Sequence, residues 1–376
     1  MITRKYSILD QSSELEHLHT FKNVPASMAC TSQNESQDVS MDQVWDICKN
    51  TGMIQLRNLF PLDVVYKFAH NDAVGIDWEI HNKRFMELIH DTGVKNILEI
   101  GSGSGKLGKL FLSKSNGQWT GLEPNHDYAE VDIPNFIHSR EWFDDQYKFN
   151  EQYDAVVHSN VFEHTYDPIK FLKNVHSEMS DNALHIFSIP NLYKSLDEKF
   201  TNQLNFEHTA FLTEEIVDIL LKQTGFNIVT KYYNKGLPAI FYVCKKVQPQ
   251  AVTFPKAIYD KNKKVFFNFI EFYKQEIDRL NKKINEFDGE VYLFGAHIFS
   301  QFLIYNGLNI DRIKCILDNS TMKQTNRLYG TDFIVNSPKI LEGQTNIAVI
   351  LKAAQYNTEI KEDIISNINS NVIFWE

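Results

Sequence analysis

A chain of 376 residues is longer than one ordinary domain and suits two or three. Its composition, 43% hydrophobic, 23% charged and 13% aromatic, is that of a globular protein, and apolar runs such as "AIFYVC" from Ala239 are far too short for a membrane span. A net charge of -10 counts against tracking nucleic-acid phosphates, which relies on lysine and arginine, so no nucleic-acid partner is expected.

Up to residue 83 the hydrophobic periodicity is poor and polar clusters such as "CTSQNESQD" interrupt it, which predicts a small irregular N-terminal domain over 1–83. Its opening, "MITRKYSILDQSSELEHLH", lacks an apolar core with a cleavage site. Across the chain the four cysteines, Cys30, Cys48, Cys244 and Cys315, are widely scattered; both features point to a reducing cytoplasm. From 84 to 247 helix and strand patterns alternate, among them "VKNILEI", "KLGKLFLSK", "QWTGLEP", "YDAVVHS", "PIKFLKNVHSEM" and "ALHIFSI". Such alternation predicts an α/β unit with a mostly parallel sheet and helices on both faces. Over 248–288 apolar residues at helical spacing, including Phe266, Phe269, Ile270, Tyr273, Ile277 and Leu280, predict a linking helix. A shorter alternation over 289–376, with "EVYLFGA", "IKCILDN" and "NIAVILK", reads as a second, small α/β domain.

The stretch "NILEIGSGSGKLGKLF" carries the first functional signal. A nicotinamide-binding turn wants a third glycine where Lys106 stands, and a triphosphate loop wants Ser or Thr where Leu107 stands. What remains is Gly101-Ser102-Gly103-Ser104-Gly105 with Glu99 before it, a loop whose backbone a ligand can approach without obstruction by Cβ atoms. The next strand ends in Glu123-Pro124, and an acid there is placed to accept hydrogen bonds from both hydroxyls of a ribose.

The loop, the acid, the "YDAVVHSNVFEH" strand and the closing hairpin pattern "FNIVTKYYN" to "AIFYVCKK" together resemble the class I S-adenosylmethionine-dependent methyltransferases. The resemblance implies a Rossmann-like, seven-stranded sheet with an antiparallel terminal hairpin. It also implies S-adenosyl-L-methionine as cofactor, held by Glu99, Gly101, Ser102, Gly103, Gly105, Glu123, Pro124 and Asn160. Near the third strand, Trp142 and Phe143 lie where the family seats adenine, without an assignment. Asp167-Pro168 reads as a helix cap with proline in the first turn.

The flanking segments resemble the three-domain sugar C-methyltransferases, which act on nucleotide-linked ketodeoxysugars. Gly295-Ala296, Asp318, Lys323-Gln324, Gly330-Thr331 and Ser337-Pro338 match their C-terminal Rossmann-like domain, implying a substrate-binding role for 289–376. The family's N-terminal zinc module is degenerate here. In "CKNTGMIQL" Cys48 keeps one ligand position and Thr51 replaces the next, while Cys30 stands as the remnant of another pair. No metal site is expected, even with His17 and His19 nearby, because structural zinc wants four tetrahedral ligands. Elemental analysis of purified protein should therefore return no stoichiometric zinc; about one zinc per chain, lost in Cys48→Ser, would overturn this.

In "NQLNFEHTAFLTEE", Glu207-His208 match the family's Tyr-x-Glu-His string, with Asn205 in the tyrosine's place. An acceptor carbon beside a ketone, or a hydroxyl, must lose a proton to attack a methyl group, and a histidine near a carboxylate suits that task. His208 is therefore the expected base and Glu207 its support, with Thr213 capping the next helix and His164 or His70 as fallback bases. The expected function is a cytoplasmic methyltransferase acting on a nucleotide-activated sugar. The alternatives are O- or N-methylation of another small metabolite, or an idle cofactor-binding scaffold.

Overall fold

The computed structural model describes residues 2–66, 75–126, 128–144, 146–234 and 236–376. Seven strands form the largest sheet: β1 (Asn96–Ile100), β2 (Gln118–Leu122), β3 (Phe136–Ser139), β4 (Ala155–Ser159), β5 (Leu184–Pro190), β6 (Phe226–Asn234) and β7 (Ala239–Lys246). Their order is β6-β7-β5-β4-β1-β2-β3; β1 to β5 pair in parallel, and β7 runs antiparallel to both neighbours. The order reverses between β1 and β4, so a crevice opens at their carboxyl ends, where such sheets bind ligands. The near-complete burial of β4 and β5 follows from helices covering both faces.

Helix α1 (Ile76–Asp91) buries His81, Phe85, Met86 and Ile89 on one stripe, and α2 (Lys106–Leu112) starts directly after the glycine loop. Asp167 caps α3 (Pro168–Glu178) by accepting from the Lys170 N–H, with proline in the first turn as expected. α4 (Glu214–Thr224) starts after Thr213 as expected, but the Thr213 hydroxyl makes no cap bond; Gly225 ends the helix at φ 92°. Because α1 begins at Ile76, an expected boundary between 83 and 84 would cut a continuous helix.

The N-terminal segment is more regular than its sequence suggests. Leu15–Pro25, Ser40–Cys48 and Ile54–Leu56 form a three-stranded antiparallel sheet. The register shifts between His17 and His19 and again between Phe21 and Val24. Each irregularity breaks the two-residue alternation that would have announced the strand.

The expected linking helix is α5 (Lys256–Glu286); residues 248–255 precede it without helical structure. Its apolar stripe shares one core with Trp45 and Ile47 of the N-terminal sheet and with Val291 and Leu293 of the last sheet. That sheet is parallel, in the order β10-β9-β8-β11-β12: β8 (Glu290–Phe294), β9 (Ile313–Leu317), β10 (Val335–Asn336), β11 (Ile347–Leu351) and β12 (Ile373–Trp375). No helix among the described residues is long and apolar enough to cross a membrane.

Two buried histidines face each other inside the large sheet: His158 Nε2 lies 3.0 Å from His185 Nε2, and neither Nδ1 has a partner. Burial pulls His185 down to about 3 and His158 well below the usual imidazole range, so folding keeps both neutral. A depressed folded pKa contributes stability that is present above the unfolded value and lost as pH falls below about 6.5. The double variant His158→Leu/His185→Leu should therefore gain on wild type below about pH 6.5 and show a constant difference above it. Denaturant titrations from pH 4 to 8 that give a pH-independent difference would refute this.

Candidate functional site

The crevice at the carboxyl ends of β1, β2, β4 and β5 gathers most of the residues singled out from the sequence. Gly101, Gly103 and Gly105 adopt φ of 71°, 51° and 71°, a left-handed path open to glycine at little cost. The Gly101 and Ser102 N–H groups both donate to the Leu122 carbonyl, at 2.9 and 3.0 Å, which ties the loop to the tip of β2. There Glu123 accepts from the Gly103 N–H at 2.8 Å and from the Asn125 N–H at 2.9 Å. Among the described residues a Cβ on Gly103 would meet only Tyr128 Cζ, at 4.0 Å, so this backbone faces open space between them. Gly101 is different, since a Cβ there would lie 2.6 Å from Val161. Ser102 is buried with its Oγ unpartnered, against Gly121 in β2.

Burial pushes the Glu123 carboxyl up, while the Asn125 and Gly103 N–H groups and the charge of Arg140 act against the rise. Pro124 continues the chain at this rim. Asn160, at φ 53°, directly follows β4 and accepts from Ser188 Oγ at 2.8 Å, while its N–H donates to the Ser188 carbonyl. His81, for which the sequence gave no functional signal, reaches Ser159 Oγ at 3.1 Å from α1.

Glu99 is placed differently from the sequence expectation. It is 3% exposed and accepts from Trp119 Nε1 at 2.9 Å, so it points into the protein beneath the loop rather than at an opening. Burial pushes its carboxyl up to about 8. Trp142 is exposed, whereas Phe143 packs on Phe171.

Beyond the carboxyl ends of β4 and β5 the structure assembles residues from three segments. His164 Nδ1 lies 3.0 Å from the Tyr66 hydroxyl and 3.4 Å from Glu207 Oε2, and its ring meets that of His208 edge-on at 4.9 Å. Glu207 Oε2 thus reaches His164, and its charge also acts on the adjacent His208, as the sequence suggested. Asn205 Oδ1 accepts from both the Glu207 and His208 N–H groups, at 2.7 and 2.8 Å, and folds the loop into a tight turn. In the tyrosine's sequence place, Asn205 thus shapes backbone, while Tyr66 brings a phenol from the N-terminal segment. His70 lies outside the described residues.

Burial, with His164 adding to it, draws His208 down to about 3, and Glu207 and a backbone hydrogen bond to Gln203 act against this. Its ring is neutral near pH 7 and lines a small recess with Glu163, Ile189, Leu192 and Gln203. Glu163 is buried with Oε2 unpartnered, and burial raises its pKa to about 8. Glu163, His164 and His208 place donor atoms within 4.8 Å of one another, a spacing at which such a trio could also take up a cation.

The N-terminal cysteines are held apart. Cys48 Sγ lies 3.6 Å from Ser12 Oγ and 3.7 Å from Asp10, whereas Cys30 Sγ donates to the Ala296 carbonyl after β8. In that last sheet the Ala296 N–H donates to Asp318 at 2.9 Å, Lys323 pairs with Asp318 at 3.1 Å, and the Gly330 N–H donates to Asp38 at 2.6 Å. Ser337 caps the short turn Pro338–Leu341.

Residues 78–231 match the family model described as a methyltransferase domain. No curated protein matches the chain. Among solved structures it is similar to an S-adenosylmethionine-dependent methyltransferase from Clostridium acetobutylicum, at 14% identity and TM-score 0.34, over 44% of this chain and 91% of that one. It is also similar to the plantazolicin methyltransferase solved with S-adenosylhomocysteine, at 13% identity and TM-score 0.37, over 46% and 84% of the two chains. A glycopeptide N-methyltransferase solved with S-adenosylmethionine aligns at 12% identity and TM-score 0.36, over 44% and 93%. The matched segment, 78–231, spans the glycine loop, the Glu123 rim and the "VFEH" residues just described, so it is this part of the chain that is similar to a methyltransferase domain.

Proposed function

We propose that this protein is a cytoplasmic enzyme that uses S-adenosylmethionine to methylate a nucleotide-activated sugar, at carbon or at oxygen. The observation that carries the reading is one crevice edge bearing both a carboxylate, Glu123, closed onto a glycine loop, and a Tyr66–His164–Glu207–His208 set. The first half suits a ribose with adjacent hydroxyls; the second suits an acceptor that must lose a proton. We further propose that the parts expected at 1–83, 84–247, 248–288 and 289–376 act as separate functional parts, with the first boundary moved to the start of α1 at Ile76 and the last part holding the nucleotide portion of the acceptor. The parallel order of the last sheet and the Asp318–Lys323 pair at its β9 tip support that role.

The residues present fit the cofactor: Gly103 backbone faces open space, and Glu123 offers an acceptor beside it. When bound, S-adenosylmethionine supplies a methyl group already activated by its sulfonium. The protein's own work is then to align the acceptor, exclude water and remove one proton. Gly101, Ser102, Gly103, Gly105, Glu123, Pro124 and Asn160 form the cofactor side; Glu99 supports it from beneath through Trp119. On the acceptor side, the neutral His208 ring takes the proton, and Glu207 holds His164 beside it. Incubation with a panel of nucleotide sugars, followed by S-adenosylhomocysteine release and product mass, tests the reading. Turnover only with other small metabolites would move the acceptor class, and cofactor binding without turnover on any acceptor would leave a scaffold.

A further inference from the structure

We propose that Arg4 is a positioning residue of the acceptor site, clamping together the two backbone segments that carry His164 and His208. The proposal rests on the methyltransferase reading for its catalytic consequence, but its geometry stands separately. Arg4 follows a short strand, Ile2–Thr3, paired antiparallel with Asn58–Leu59, and its own N–H donates to the Arg57 carbonyl at 2.8 Å. From that anchor the side chain reaches inward. Nη1 donates to the Thr209 carbonyl at 2.8 Å and to the Leu56 carbonyl at 3.4 Å; Nη2 donates to the Tyr166 carbonyl at 2.6 Å and to Thr209 Oγ1 at 3.1 Å.

Thr209 directly follows His208, and Tyr166 lies two residues after His164. One planar group thus spans the loop after β5 and the loop after β4 and fixes their separation. Surrounding bonds brace the clamp: Thr209 Oγ1 donates to the Thr165 carbonyl at 3.2 Å, and the Leu56 N–H donates to the Thr209 carbonyl at 2.9 Å.

The chemistry of the clamp argues for precision over stability. No carboxylate within ion-pair distance neutralises Arg4 among the described residues, and desolvation draws its pKa down to about 10, with Tyr166 and Asp167 opposing. Enclosing a cation against three carbonyl oxygens and a hydroxyl, with no carboxylate, is an expensive way to hold two loops. A guanidinium offers two nitrogens at fixed spacing, which match two carbonyls on different segments; a lysine ammonium, one point, cannot bridge them in the same way.

The test compares Arg4→Met, which keeps the stem, Arg4→Lys, which keeps the charge, and Arg4→Ala, which leaves space for a free guanidinium ion. Each variant is measured as full-length protein on the acceptor that the panel identifies. If Arg4 is a clamp, kcat falls about 10- to 100-fold in all three while the dissociation constant for S-adenosylmethionine stays within about twofold. Guanidinium at sub-denaturing concentration then restores part of kcat in Arg4→Ala and none in Arg4→Met. A folded Arg4→Met enzyme with wild-type kcat overturns the proposal, as does equal loss of cofactor and acceptor function.

A second readout needs no turnover. Histidine ring resonances, assigned through His164→Asn and His208→Asn, should shift for both rings in Arg4→Lys while that of exposed His17 stays. Unmoved rings overturn the clamp. Absence of turnover in the wild type would instead refute the proposed function and leave the ring measurement to decide the clamp.

Discussion

Replacing His208 by asparagine should lower kcat by ~10²–10⁴ while leaving S-adenosylmethionine affinity unchanged. The ring lines the recess beyond β5 and makes a hydrogen bond to the Gln203 backbone. Burial holds its pKa at about 3, so the wild-type kcat should rise with pH along an acid limb lying below the ordinary imidazole value of about 6.5. The sign follows from the role: a base works only when deprotonated, and a depressed pKa moves the limb to lower pH. The limb should vanish in His208→Asn. Because Glu207 contacts His164, Glu207→Gln and His164→Asn should have similar, smaller effects, and their combination should cost little more than either alone. Near wild-type turnover by His208→Asn would make this residue structural and pass the base role to His164.

The second large effect is on the cofactor. Glu123→Ala should weaken S-adenosylmethionine binding by roughly 1.5–3 kcal/mol, about 10- to 150-fold in dissociation constant, because hydrogen bonds to a charged acceptor are lost. The carboxylate also receives the Gly103 and Asn125 N–H groups, so its removal loosens the loop that it would leave unpartnered. Gly103→Val should block binding outright, since a branched side chain would fill the open space beside the loop and suffer strain at φ 51°. Glu99→Gln should be milder, as Glu99 meets Trp119 rather than the opening. Titration calorimetry resolves all three. Unchanged affinity in both Glu123→Ala and Gly103→Val would sink the methyltransferase reading, acceptor and all.

Much of the glycine loop and its surroundings was legible in the sequence because it is local. A strand, a glycine loop and a helix must follow one another within a few residues, and the acid at the tip of β2 sits 24 residues after Glu99, as their numbers give directly. Strand alternation and helix stripes, read over windows of similar length, likewise located β1, β2 and β4 to β7, three of the five strands of the last sheet (β8, β9 and β11) and most of α5. These signals survive without tertiary information because each depends on short-range backbone geometry.

What the tertiary structure decided is contact between distant segments. Tyr66, His164 and Glu207 are separated by 98 and 43 residues in sequence, and no periodicity connects them. The side of the strand on which Glu99 points was fixed by Trp119 on the neighbouring strand, which gave its indole N–H a partner inside the protein. The N-terminal sheet was hidden by two register shifts that destroy alternation yet leave long-range pairing intact. Arg4 lies furthest beyond sequence reading: a lone arginine near the start of the chain carries no pattern, and only folding brings it between the loops of His164 and His208. Short-range geometry writes itself into residue spacing; the partners that complete a site are chosen by packing, which spacing does not record.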